Sequence, residues 1–515
     1  LSRSNTETIE GNMAVLAIDA GTTGVTAVVV NQLGAIVSKG YCEFEQHFEQ
    51  PGWVEHDPEQ IWQATLIAVR AALASWASAQ EQAPQLGNAI VAVGITNQRE
   101  TVVLWRRNDL TAPRKAIVWQ DRRSSAIVDE FRELGAEAPV RVLTGLGLDP
   151  YFSSTKLTWI ARNEPAIWRK VVDGEIAIGT VDSYLIARLT AGAVHVTDAS
   201  NASRTQLLDI HTGAWSPDLL ELFGVPESAL PKVVPSSGKV GEVTAAELVE
   251  LNGVPISGIA GDQQAALFGH LAFGHGDTKC TYGTGAFILQ NTGQAPVASK
   301  HGLLSTIAWM LPDAAGKPSI TYALEGSVFV SGAAVQWLRD GLQIIESAAE
   351  ISSIAEAAGD NGGVVFVPAL TGLGAPHWSP EARGALLGLT RGTSRGNIAQ
   401  ATLEAIAFQV RQVFDLFGDE AGLACHRLAV DGGASANDKL MQLQADALGT
   451  KIERSQSFEI TALGAAYLAG LGVGVWSSPE DLKSLAKPES EFTPGAFEEA
   501  LYKRWCRAVD LVVSF

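Results

Sequence analysis

Two glycine–threonine turns, half a chain apart, constrain this sequence more than any other feature. The first is Asp19-Ala20-Gly21-Thr22-Thr23-Gly24 and the second is Tyr282-Gly283-Thr284-Gly285-Ala286. Apolar strand-like runs flank each, 15–19 and 26–30 around the first and 279–290 spanning the second. Glycine leaves main-chain amides uncovered and threonine adds a hydroxyl donor, so such a turn can serve a phosphate. The first turn adds a carboxylate, Asp19, suited to Mg²⁺. It is not a P-loop, because no GK[ST] follows and a strand rather than a helix comes next. The same residue types also make an ordinary β-hairpin turn. Repetition shifts the weight, since two such loops in corresponding places suit a nucleotide whose phosphates are clamped from both sides.

Around these turns the pattern alternates strands and helices, which specifies an α/β protein. A meander over 15–37 is followed by a helix from Pro58 through Trp76, with Asp57 as its cap and Pro58 at its first position. A strand over 257–260, the pair Gly261-Asp262 and a helix over 263–268 precede the second turn. A third glycine turn, Asp431-Gly432-Gly433-Ala434, follows a strand over 427–430 and leads a helix containing Met441. It suits close approach to an adenosine, and equally a simple helix start. Two similar halves around a cleft are expected, dividing near 268–276 into domains 13–270 and 271–515.

Two local groups carry further chemistry. Asn97-Gln98-Arg99-Glu100 lies between apolar strands. An adjacent Arg–Glu pair in a turn is ordinarily a solvated surface feature, yet it also offers a donor and an acceptor to neighbouring hydroxyls. Asp262, after Gly261 at a strand end, reads as a helix N-cap or as the base that takes a proton from an attacking hydroxyl.

Composition narrows the partners. A net charge of -19 disfavours nucleic acid and anionic membrane. It leaves room for a phosphorylated ligand held by backbone amides and a metal. The four cysteines form no CxxC pair, which fits a reduced, cytoplasmic setting. His270 and His275 are spaced wrongly for joint metal ligation on one helix face. No apolar run is long enough to cross a bilayer. The first twelve residues are polar, lack the apolar core of a secretory signal, and are set aside.

Taken together, these motifs resemble the FGGY carbohydrate kinases, and the resemblance runs from about Met13 to the final helices. Two long signatures carry it, Tyr151-Phe152-Ser153-Ser154-Thr155-Lys156-Leu157-Thr158-Trp159 and the run over 384–404. Strings such as PGWVEHDP, GITNQRET and GIAGDQQAALFG are similar to the branch of the family that acts on glycerol. The resemblance implies two actin-like (ribonuclease H-like) domains flanking an active-site cleft, with glycerol and phosphates on the first and nucleotide on the second. It implies phosphorylation of glycerol by ATP with Mg²⁺, and a homodimer or homotetramer. At matching positions it implies that Arg99, Glu100, Tyr151, Asp262 and Gln263 hydrogen-bond glycerol, with Asp262 as the base. Trp119 and Phe287 would pack on the carbon chain, and Asp19 would hold Mg²⁺. Thr22, Thr23 and Thr284 would contact phosphates, and Gly332, Gln336, Gly433 and Asn437 would lie beside the nucleotide.

The sequence also departs from relatives. Thr26 stands where an arginine is common, which implies weaker phosphate contact or another donor there. Residues 244–252 replace the basic loop that binds fructose 1,6-bisphosphate in some relatives, which implies no such inhibition. The alternatives are a kinase for another small polyol or ketose, and a non-catalytic nucleotide-binding scaffold. The retained Asp19, Arg99-Glu100 and Asp262 count against the scaffold.

Overall fold

The computed structural model describes residues 13–82, 89–313, 315–379, 381–423, 425–485 and 488–515. The polar first twelve residues lie outside them.

The meander forms as the pattern requires. Strands β1 (Met13–Ala20), β2 (Gly24–Asn31) and β3 (Ile36–Glu43) pair antiparallel. Helix α1 (Pro58–Gln82) starts where Asp57 Oδ1 accepts the Glu59 amide at 2.9 Å, with Pro58 at its first position. Its Ile61, Trp62, Val69 and Ala72 bury against Leu16, Ile18 and Val29. Strand β4 (Ala89–Asn97) lies parallel to β1. With β5 (Ser237–Glu242) and β6 (Pro255–Gly261) the first sheet has the order β5-β6-β4-β1-β2-β3. Helix α2 (Asp262–Gly269) leaves the end of β6.

The second half repeats the device. Strands β7 (Thr278–Tyr282), β8 (Ala286–Gly293), β9 (Leu304–Pro312) and β10 (Pro318–Val328) come first. Helices α3 (Gly332–Asp340) and α4 (Arg395–Ala421) follow, then β11 (Arg427–Asp431), α5 (Asp438–Leu448) and β12 (Lys451–Ser455). Helix α6 (Ile460–Val473) and strand β13 (Pro488–Phe492) complete the set. The described strands give the order β9-β10-β8-β7-β11-β12-β13. Laid over the first sheet, β7 takes the place of β1, β8 of β2, β10 of β3, β11 of β4, β12 of β6 and β13 of β5. Each matched neighbouring pair keeps its sense, parallel or antiparallel. Strand β9 is an added edge. The α/β duplication expected from the two turns is therefore present in the topology.

A division at 270/271 separates the strands of the two sheets but not their helices. Helix α6 returns to the first sheet and buries Ile460, Ala465, Leu468 and Ala469 with Val15, Ala17, Val28 and Ala260. The approach is backbone to backbone. A Cβ added at Gly94 or Gly258 of the sheet would overlap the main chain at Ala465 or Ala469, and one at Gly464 would overlap the Ala265 carbonyl of α2. Ser237 and Ser257 hydroxyls donate to the Leu468 and Ala469 carbonyls, at 2.8 and 2.9 Å. Among the described residues, no helix is long and apolar enough to cross a membrane.

Candidate active site

Parallel strands aim their carboxyl ends at one cleft, and ligands of open α/β sheets bind at such ends. β1 delivers Asp19 and the first turn, whose Gly21 amide donates to the Gly24 carbonyl at 3.0 Å. β4 delivers Asn97 and then Gln98, whose side-chain amide donates to the Gly21 carbonyl at 2.9 Å. β6 delivers Asp262. The second turn closes with a bond from the Gly283 amide to the Gly285 carbonyl at 2.9 Å, and receives the Ser331 and Gly332 amides at 2.8 and 3.0 Å. Helix α3 thus starts on the turn itself. A side chain at Gly332 would press on the Gly283 carbonyl, and one at Gly432 on Tyr282. Gly432 also holds φ at 86°, in the left-handed region that favours glycine.

Two cavities open on either side of Thr284. The first, about 640 Å³, is lined by Thr22, Thr23, Arg99, Glu100, Trp119, Tyr151, Asp262, Gln263, Thr284 and Phe287. Every residue expected around a polyol is therefore in one place. The second, about 590 Å³, is lined by Thr284, Gly332, Gln336, Gly433 and Asn437, the set expected beside a nucleotide. Asp19 lines neither but stands at the end of β1, close enough for its charge to act on Asp262. A further opening of about 660 Å³, lined by Gly34, His270, Arg427 and Arg454 among others, contains none of the expected residues.

The Arg–Glu pair is not a solvated turn. Arg99 and Glu100 are 3% and 1% exposed. Glu100 holds φ at 59°, an uncommon state for a non-glycine residue. Arg99 Nη1 donates to Glu325 Oε2 at 2.6 Å and to Gln264 Oε1 at 3.2 Å, while Nη2 donates to Glu325 Oε1 at 3.1 Å. Its Nε lies 3.0 Å from Asp262 Oδ1. Fully buried Arg204 donates from Nε to Glu100 Oε1 at 2.7 Å and from Nη2 to Glu325 Oε1 at 3.0 Å. Burial alone would raise the Glu325 pKa, but Arg204 and Arg99 overcome it and hold the carboxyl down at about 2. Glu325 comes from β10, so the second sheet grips the substrate wall of the first. Neither Glu325 nor Arg204 was found from sequence. Their partners are 226 and 104 residues distant, beyond any local pattern.

Asp262 is the first residue of α2, and Gly261 occupies the cap position. The N-cap reading is thus corrected. The carboxylate points into the cleft, and its Oδ1 accepts the Gln263 amide at 2.7 Å. Desolvation by the surrounding protein raises its pKa, against the pull of Arg99. Asp19 is raised well above the carboxylate range by burial, then by the charges of Asp262 and Glu459. Two neighbouring carboxylates with raised pKa values would be eased by a cation beside them. Among the described residues, no three His, Cys, Asp or Glu side chains are grouped to hold a metal. Asp19 with water and phosphate oxygens fits the usual manner of Mg²⁺, which rarely takes an all-protein cage.

In the second cavity, Asn437 bears out the helix-start reading of the third turn. Its Oδ1 caps α5 by accepting the Leu440 amide at 3.0 Å, while the residue lines the cavity. His270 meets the second half of the molecule. Its ring donates to Asp431 Oδ2 at 2.6 Å.

Comparisons with known proteins agree with this geometry. Residues 14–269 match the N-terminal domain of the FGGY family of carbohydrate kinases, and residues 278–473 match its C-terminal domain. The chain is 52% identical over 499 residues to a glycerol kinase of Dechloromonas aromatica, covering 96% of this chain and 97% of that one. It is 49% identical over 502 residues to one of Bdellovibrio bacteriovorus, covering 97% and 99%. The solved structure of Plasmodium falciparum glycerol kinase with ADP is similar at a TM-score of 0.89, with 36% identity over 97% of this chain and 98% of that chain. A duplicated α/β frame, a cleft built from both turns, and relatives alike along nearly the whole length lead to one statement: the chain belongs to the FGGY family of carbohydrate kinases.

Proposed function

We propose that this protein transfers the terminal phosphoryl group of ATP to a primary hydroxyl of glycerol, giving sn-glycerol 3-phosphate and ADP. The observation that carries the reading is the pair of cavities meeting at Thr284. One presents charged donors and acceptors between aromatic walls, and the other presents glycine turns and a helix start. The named relatives support glycerol as the polyol.

In this reading Arg99 and Glu100 would fix neighbouring hydroxyls. Buried ion pairs allow neither side chain to swing, so the substrate meets a pre-set wall. The Trp119 and Tyr151 rings, edge to face at 5.6 Å, would cover the carbon chain with Phe287. Trp119 Nε1 also donates to Thr22 Oγ1 at 3.1 Å, which ties the polyol wall to the first phosphate turn. Asp262, ionised, would accept the proton of the attacking hydroxyl as the new P–O bond forms and the bond to the leaving oxygen of ADP breaks. Its raised pKa suits that task. The amides and hydroxyls of both turns would hold the phosphates from opposite sides. Asp19 would hold Mg²⁺, which when bound neutralises charge on the transferring group.

A coupled ADP-release assay with Mg²⁺-ATP against glycerol, xylulose, erythritol, gluconate and no acceptor tests this. Turnover with glycerol alone is expected. Turnover with another acceptor in its place would overturn the substrate and leave the family. ATP binding without transfer would favour a scaffold. The same assay with added fructose 1,6-bisphosphate is expected to show no inhibition.

A further inference from the structure

One charged side chain behind the wall of the polyol cavity has no place in the scheme above. Lys279, in the middle of β7, is fully buried. Among the described residues no carboxylate lies within ion-pair distance of it. Its ammonium donates to the side-chain oxygen of Gln263, to Thr281 Oγ1 at 3.0 Å and to the Phe287 carbonyl at 3.4 Å. Three donors thus meet three neutral acceptors. A buried ammonium without a carboxylate partner is disfavoured in general, and such perturbed groups cluster where they perform a task. Burial pulls its pKa down, while the charges of Asp431 and Asp262 favour the ammonium and that of Arg99 opposes it.

The task follows from what an ammonium can and cannot do. It donates only. It must therefore meet the Gln263 amide through the carbonyl oxygen, which turns the NH₂ end away. Gln263 lines the polyol cavity, and among the described residues no partner takes that NH₂ group. The other target, Phe287, lines the same cavity from the second sheet. One ammonium thus touches a wall residue from each domain.

We propose that Lys279 is a positioning residue that fixes the polarity of Gln263, so that this side chain presents a donor to a substrate oxygen. The proposal rests on the reading of the cavity as a polyol site. Asp262 and the free oxygen of Glu100 would then accept from the polyol hydroxyls, while Arg99 and Gln263 donate. Without Lys279 the amide can turn over and place its carbonyl against Asp262 and Glu100, where acceptors already stand.

A double-mutant cycle on the full chain separates this from a merely structural role. Lys279→Met, Gln263→Leu and the double variant are assayed for glycerol KM, ATP KM and kcat, with melting temperature recorded for each. Each single change is expected to raise glycerol KM roughly ten- to hundredfold, as for loss of a contact governed by a charged hydrogen bond. ATP KM should stay within about twofold, and the double variant should be no worse than Gln263→Leu alone within the same margin. Losses that multiply in the double variant, or an ATP KM that moves with that for glycerol, would overturn the proposal. If Lys279→Met does not fold, Gln263→Glu decides, because it keeps an acceptor for the ammonium and removes the donor from the cavity. It should raise glycerol KM alike, and a wild-type value would overturn the idea. Should the unsubstituted chain act on, or only bind, another polyol, the substrate reading fails. The cycle is then read on that polyol's KM or Kd, and the coupling is judged there.

Discussion

The two halves of the molecule share a strand order but exchange one pair of residues. In the first sheet, Asp19 on β1 stands opposite Thr96 on β4. In the second, the same two places hold Thr281 on β7 and Asp431 on β11. The acid has moved from the central strand to its neighbour, and its surroundings have changed with it. Asp431 accepts from His270 at 2.6 Å and from the Thr281 hydroxyl at 3.1 Å. Burial would raise its pKa, but His270, the charge of Lys279 and the Thr281 hydroxyl together lower it. Among the described residues Asp19 has only the charge of Lys39 to favour its ionised form, and the buried Thr96 hydroxyl opposite it has no partner. The lesson is that an identical scaffold yields a structural anchor where donors complete the carboxylate. Where they are withheld, as at Asp19, the carboxylate is left for the Mg²⁺ role proposed above.

That contrast can be broken or sharpened in order of expected effect. Asp262→Asn should keep the fold and lower turnover by roughly 10²–10⁴, the usual range for a general base. Near-wild-type turnover would remove it from that role. In the unsubstituted chain the same group, as the proposed base, is expected to set the acid limb of the profile. Since its folded pKa is raised, glycerol turnover should fall on acidification at a pH above the ordinary aspartate value of about 3.9. Asp19→Asn is expected to lower turnover by about 10²-fold, as for loss of a preorganised electrostatic group, with a steeper Mg²⁺ requirement. A Mg²⁺ titration identical to wild type would erase the distinction between the two acids. Arg99→Ala should raise glycerol KM with little change in ATP KM. Because Arg99 neutralises buried Glu325, it should also lose about 3–5 kcal/mol of stability, and a denaturant titration reads that loss. Asp431→Asn comes last. Activity should stay within about twofold, while stability falls by about 1–3 kcal/mol as a buried hydrogen-bonded charge is lost. A large kinetic defect there would show that the second acid is not merely an anchor.

Much of this frame was readable in the chain because its signals are local. The two turns, the strands around them and the Asp57-Pro58 helix start depend on residues a few places apart, and each formed as expected. The family resemblance implied the candidate site residues, and all of them except Asp19 line two adjoining cavities. What could not be read depends on distant partners. Arg99-Glu100 looked like a surface pair because nothing nearby announces Arg204 or Glu325. Asp262 read as a cap or as a base because capping and strand-end acids share a sequence pattern, and only the backbone shows that Gly261 takes the cap. Lys279 was invisible as a site residue, since a lysine in a short strand gives no sign that its tip crosses to Gln263. The division near 268–276 followed the strands and did not anticipate α6, which returns from the far end of the chain to the first sheet.

The return of α6 bears on how the chain is made. Ribosomes release the first sheet long before Ile460 emerges, and domains generally fold as units during synthesis. Here the face formed by Val15, Ala17, Val28 and Val30 is closed by side chains that emerge more than four hundred residues later. Until then the nascent first half carries an apolar face without its cover, and a fragment ending before Ile460 would carry it permanently. The opening half of this enzyme is therefore finished last.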